Sequence, residues 1–228
     1  MSLGEYIGAE SGITKGLYHF NGNGNDSSGN GKNLSGTGIT YSLANGKFGQ
    51  GAGMTTGNLS LANNLGIDGG SVTISIWVKK TNTIGLNKYG GIIDQNSNIS
   101  KTGYTIGFSN DAGVMSIYIN RCRLGVADQT IGYAYTISST KFDNICLTYN
   151  SATTILTLYL NGSYINSRTA SGNGTSNING FEIGDYYGGG STAKFNGNVD
   201  EVIIDNVEWS AEKYKKYYSM CKGRFGIL

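Results

Sequence analysis

Proline is absent from this 228-residue chain. Its turns must therefore be made by Gly, Asn, Asp and Ser, which tolerate positive φ or close short side-chain-to-backbone turns. Histidine occurs once, at His19, and the three cysteines, Cys122, Cys146 and Cys221, lie far apart with no CxxC spacing. Those shortages argue against a zinc centre and against a disulfide framework. Cys122 and Cys146 fall in apolar runs where a thiol serves as a small hydrophobe; a bridge between them is the alternative. Charged residues make up only 14%, with a formal net charge of +2. That balance speaks against a basic nucleic-acid surface, and so low a charge speaks against disorder. No apolar run approaches the length of a membrane span, and residues 1–16 lack the basic and apolar regions of a Sec signal.

What the chain does have is glycine, tyrosine and alternation. Residues 71–80 place Val72, Ile74, Ile76 and Val78 on one face and Thr73, Ser75, Trp77 and Lys79 on the other, the period of a half-buried strand. Tyr104, Ile106 and Phe108 alternate likewise, and Asn110-Asp-Ala-Gly113 separates them from Met115, Ile117 and Ile119, which predicts a hairpin. Asn161-Gly162, flanked by apolar alternation, predicts a type I′ turn. Further strands are expected at 142–149, 180–184 and 199–205, with shorter patterns at 91–94 and 59–61. One helix is expected over 210–222, with Ser210 as N-cap, Glu212 in the first turn, Gly223 at C′ and Tyr214, Tyr217 and Tyr218 on one side. The basic residues of 213–222 read as its solvated face. Residues 16–20 and 199–204 form a matched pair of short apolar runs beside Asn/Gly turns and acids, expected to meet when the fold closes. Together these features describe an all-β, antiparallel two-sheet sandwich with one short C-terminal helix. The expected organisation is an N-terminal arm over 1–15 and a single domain over 16–228.

Six segments occur in a telling order. They are Gly16-Leu-Tyr-His-Phe-Asn-Gly22 with Asn25-Asp-Ser-Ser-Gly-Asn-Gly31, then Gly46-Lys-Phe-Gly-Gln-Gly51, then Val72-Thr-Ile-Ser-Ile-Trp-Val-Lys79. Ile145-Cys-Leu-Thr-Tyr-Asn150 follows, running into Leu156-Thr-Leu-Tyr-Leu-Asn-Gly162, and then Phe195-Asn-Gly-Asn-Val-Asp-Glu-Val202 and Trp209-Ser-Ala-Glu212. In this order the chain resembles a laminin-G-like domain of the concanavalin A-like lectin/glucanase superfamily. Phe142 departs from the pattern, standing where the family usually has Trp. The resemblance implies a jelly-roll sandwich with one concave face, chain ends close together, and binding more often than catalysis, although fold alone does not settle function.

Three chemistries follow from the residues. Asp26 in its Gly/Asn loop, and Asp200, which the resemblance sets beside the first strand, are candidate ligands for a structural Ca²⁺, a cation that takes carboxylate and carbonyl oxygens together. The alternative is an Asx-turn at Asp26 and a strand cap or base partner at Asp200; Glu201 should face the other way. A glycan surface needs exposed aromatic rings with amides and carboxylates, and Trp77, Tyr89, Asp185, Tyr186 and Tyr187 are the candidate ligand-binding residues. Tyr133 and Tyr135 are further ring candidates. No catalytic residue is assigned, because the E-x-D-x-x-E strand signature of the superfamily's glucanases is absent and His19 shares parity with Leu17 in a core or edge position. The expectation is a non-enzymatic lectin-like recognition or adhesion module that binds a surface glycan or protein partner through loops and the concave sheet. The alternative is a structural or decoration/appendage protein of a virus or phage particle, whose partners are other virion proteins. Both are compatible with oligomerisation and place the chain extracellularly or on a virion, without a Sec signal. Neither nucleic-acid binding nor membrane insertion is expected.

Overall fold

The computed structural model describes residues 10–63, 65–67, 69–81, 85, 88–95, 103–123, 126–170, 180–185 and 194–222. In chain order its strands are β1 (Thr14–Tyr18), β2 (Ser35–Ser42), β3 (Gly51–Leu61), β4 (Val72–Lys80), β5 (Lys88–Asp94) and β6 (Gly103–Asp111). They continue as β7 (Val114–Arg123), β8 (Val126–Ala134), β9 (Asp143–Asn150), β10 (Ile155–Leu160), β11 (Ser163–Thr169), β12 (Phe181–Ile183) and β13 (Gly197–Asp205). One α-helix, α1 (Ala211–Lys222), follows.

Alternation decides which residues turn inward. Val72, Ile74, Ile76 and Val78 of β4 enter the main core, as their spacing predicts, while Trp77 joins a second cluster on the opposite face. Both predicted hairpins form: Ala112 and Gly113 (φ 50° and 89°) join β6 to β7, and Asn161 and Gly162 (φ 50° and 83°) join β10 to β11, the positive pair a type I′ turn requires. The two ends of the chain also meet, since β1 pairs with β13.

Every described pairing is antiparallel. The two separate sheets expected from the sequence are joined instead into one hydrogen-bonded path, β11-β10-β9-β4-β13-β3-β12-β5-β6-β7-β8. The cause is β3, whose Ala52–Met54 pair with β13 while Leu59–Leu61 pair with β12. Its partner β2 bends with it at Gly38 (φ 70°), beside Gly57, where any Cβ would stand 2.2 Å from the Thr37 carbonyl oxygen. At the far ends of the path Arg168 on β11 donates to the Thr130 carbonyl on β8 at 3.1 Å. The path therefore nearly closes on itself, and the main core lies inside it, with Tyr104 against Tyr149 (6.0 Å) and Phe108 against Phe195 (6.0 Å) across the interior.

The helix covers the outer face of β4, β9, β10 and β13. Ser210 caps it, its Oγ accepting from Lys213 N at 3.1 Å, and Glu212 lies in the first turn. Tyr214, Tyr217 and Cys221 are its buried side. Tyr217 Oη accepts from Trp77 Nε1 (3.0 Å), Tyr214 Oη donates to Asn144 Oδ1 (2.8 Å), and Tyr218 stacks on Trp77 at 5.5 Å. The cysteines are buried thiols.

Candidate functional site

α1 is seated on one half of the path, and on the other half the outward face of β5–β8 carries a groove. Its residues follow from parity. Ile106 and Phe108 of β6, Ile117 and Ile119 of β7, and Ile131 of β8 point to the core. Thr105, Gly107 and Ser109, then Ser116, Tyr118 and Asn120, then Thr130 and Gly132 must point outward. A groove of about 370 Å³ lies there, lined by Tyr89, Ser109, Asp111, Ser116, Tyr118, Thr130 and Gly132.

Two glycines shape its floor. Gly107 is the cross-strand partner of Tyr118, and a Cβ on Gly107 would fall 2.3 Å from Tyr118 Cζ and 2.4 Å from its Oη. The distal part of the Tyr118 ring therefore occupies the space over Gly107 that a side chain would fill, the ring is half-buried, and its hydroxyl donates to the Gly90 carbonyl at 3.4 Å. On the other side of Tyr118, Gly132 has open space, with nothing within 4 Å of where its Cβ would stand. The result is an aromatic platform beside an empty slot. Tyr89, 43% exposed, supplies a second ring at the rim. Ser109, Ser116 and Thr130 add hydroxyls, and exposed Asp111 adds a carboxylate.

A polar row leads away from the groove on the same face. Thr130 pairs with Asn120 and donates to its Oδ1 at 3.3 Å; Asn120 pairs with Thr105, Thr105 with Asp94, and Asp94 with Glu182 on β12. Thr105 Oγ1 donates to Asp94, and Asn58 Nδ2 donates to Glu182. Burial raises the Glu182 carboxyl to about 7, the nearby Asp185 adds to this, and Lys194 opposes it.

The residues expected from the sequence are dispersed. Tyr89 lies in the groove. Trp77 does not face open solvent: it is 1% exposed beneath α1, because the helix needs an aromatic floor and β4 supplies it from its non-core parity. Asp185 is buried at 5% exposure, with an oxygen 3.2 Å from Lys194 Nζ, and does not line the groove. Tyr186 and Tyr187 lie outside the described residues. Tyr133 is 40% exposed but sits opposite Ile117 and stacks on Tyr135 at 6.3 Å, away from the groove lining. Tyr118, Gly107 and Gly132 were not anticipated. The signal for them was present in the off-core parity of Tyr118 between Ile117 and Ile119.

Asp26 and Asp200 do not fit a calcium ion in this arrangement. Asp26 Oδ1 accepts from Leu17 N (3.1 Å) and Ser28 N (2.8 Å), and its Oδ2 accepts from Ser28 Oγ (2.8 Å) and Lys32 N (3.0 Å). All four acceptor positions of that carboxylate are taken, including the Asx-turn to Ser28. Asp200 accepts from Lys47 N (2.7 Å) and Phe48 N (2.9 Å) on Oδ2 and from Glu201 N (2.9 Å) on Oδ1. It ties the 47–48 turn to β13, whereas Asp26 ties the 26–32 loop to β1. Burial first and Glu201 second raise the Asp200 carboxyl to about 7 against the pull of its three N–H donors. Among the described residues no group of three or more His, Cys, Asp and Glu could hold a metal ion. His19 serves the same seam: its Nδ1 lies 2.9 and 3.0 Å from the two oxygens of buried Glu201, which raises the imidazole pKa.

A laminin G family profile, described as the Concanavalin A-like lectin/glucanases superfamily, matches residues 49–213. The chain belongs to this superfamily. No curated protein matches it in sequence. Among solved structures, the binding domain of botulinum neurotoxin DC in complex with SialylT is similar, with a TM-score of 0.72 at 16% identity over 93% of this chain and 52% of that one. The binding domain of Paraclostridial Mosquitocidal Protein 1 gives 0.70 at 19% identity over 86% and 49%. Domain 4 of an extracellular arabinanase from Geobacillus stearothermophilus, in complex with arabinotriose, gives 0.68 at 18% identity over 89% and 97%. The chain thus spans about half the length of the toxin binding domains and nearly all of the arabinanase domain. At these identities the likeness is one of fold.

Proposed function

We propose that this chain is a non-catalytic carbohydrate-recognition module whose site is the β5–β8 groove. The observation that carries it is the Tyr118 ring seated over Gly107, with open space at Gly132 beside it. A pyranose or furanose presents an apolar C–H face and an edge of hydroxyls. The ring takes the first by dispersion and burial of apolar area, while Ser109, Ser116, Thr130 and Asp111 answer the second. Glycosidases of the two-carboxylate kind flank the scissile bond with a pair of acids, whereas Asp111 is the single carboxylate among the described residues that line this groove. Similar folds in the toxin binding domain with SialylT and the arabinanase domain with arabinotriose make saccharide binding a reasonable use of this framework. A glycan array tests it. Wild type is expected to give a signal that Tyr118→Ala and the slot-filling Gly132→Leu both remove, with circular dichroism unchanged. A signal that survives both substitutions places the binding site elsewhere.

A further inference from the structure

Among the described residues that line the groove, Asp111, the last residue of β6, is the one carboxylate, and none is Lys or Arg. Among the described residues Asp111 has no ion-pair partner. Arg168 is held on the Thr130 carbonyl, and neither it nor Lys88, which opens β5 opposite Asn110, is part of the described lining. Along the polar row the described ionisable side chains are the buried acids Asp94 and Glu182, with Lys194 acting on Glu182 at the far end. The described lining of the groove thus offers a hydrogen-bond-accepting carboxylate and no basic side chain.

On the carbohydrate reading above, we infer that the groove selects uncharged or amino saccharides and rejects acidic ones, such as sialylated or uronic-acid chains. An ionised carboxylate accepts two hydrogen bonds from neighbouring sugar hydroxyls and pairs with a sugar ammonium. A sugar carboxylate in the same place meets a like charge, with no cation among the described lining residues to offset it. At roughly 4–5 Å near a protein surface such repulsion weakens binding about tenfold or more, and added salt reduces the difference.

The test is an array of matched glycans differing only in a terminal sialic acid, probed with wild type, Asp111→Asn, Asp111→Lys and Tyr118→Ala. Wild type is expected to retain the asialo member of each pair at least about tenfold better. Asp111→Asn narrows that gap, and Asp111→Lys closes or reverses it. Tyr118-dependent binding of both members with equal strength overturns the charge selection, as does a gap that Asp111→Lys leaves unchanged. If neither wild type nor Asp111→Lys gives a Tyr118-dependent signal for any glycan, the carbohydrate reading itself fails, and this inference with it.

Discussion

Gly107→Ala isolates the platform from everything else in the fold. The new Cβ would stand 2.3, 2.4 and 2.7 Å from Tyr118 Cζ, Oη and Cε2. Ordinary contact between carbons is about 3.5–4 Å, so the ring must lift or swing by roughly 1.5 Å. Gly107 does not have a positive φ, so alanine is compatible with the backbone there. Replacing a strand glycine by alanine restricts the unfolded chain and favours the fold by about 0.4–1 kcal/mol, which offsets part of the ring displacement. Global stability should therefore stay within about 1 kcal/mol of wild type. Binding should not. If a sugar covers about 50 Å² of the ring, losing that contact costs about 1.3 kcal/mol, close to a tenfold rise in Kd. Isothermal titration with the best array ligand measures this directly. In a double-mutant cycle Gly107→Ala should add little to Tyr118→Ala, because both remove the same platform. Wild-type affinity in Gly107→Ala, or full additivity with Tyr118→Ala, would refute the role assigned to this ring.

Three further outcomes are expected. Trp77→Ala removes a fully buried indole and its hydrogen bond to Tyr217, so it should destabilise the protein by about 3–5 kcal/mol in urea unfolding while the folded fraction keeps wild-type affinity. Chelation with EDTA should leave Tm unchanged, since the oxygens of Asp26 are filled by N–H and O–H donors; a fall in Tm would show a cation that this geometry does not accommodate. Asp200 and Glu182 both have carboxyls raised to about 7 in the fold, so the folded state binds more protons than the unfolded chain between about pH 4 and 7, and their stabilising contribution is lost as pH rises through that window. His19, also raised, acts in the same direction at higher pH. Denaturation at pH 5 and pH 8 should show lower stability at pH 8, and Asp200→Asn should flatten the difference; a steeper dependence in that variant contradicts the assignment.

Much of the architecture was legible because it rests on local rules. The β4 alternation, the two positive-φ turns and the Ser210 cap each follow from a few adjacent residues, and each forms as expected. β2 left no such trace: residues 35–42 are mostly exposed and polar, and their strand state comes from pairing along β3. Joining of the two halves through β3 was also hidden, since it depends on which partner each end of one strand meets. Trp77 shows the limit of parity. Alternation correctly put it opposite the core, yet it could not say whether solvent or a helix 130 residues later would cover that face. The metal pair was ambiguous for a related reason, as an acid in a Gly/Asn loop reads the same whether its oxygens meet a cation or backbone N–H groups. Tyr118 was readable in principle, but its importance depends on Gly107 across the strand, a pairing that spacing alone does not reveal.

On the function proposed above, saccharide binds on the β5–β8 face. Amide and aromatic NMR shifts recorded while titrating an oligosaccharide identified on the array locate the contact. The largest perturbations are expected on Tyr89, Ser109, Ser116, Tyr118 and Thr130, with Trp77 and the α1 residues unmoved. Perturbations centred on α1 or on the β1–β13 seam, with the groove residues silent, would contradict that placement.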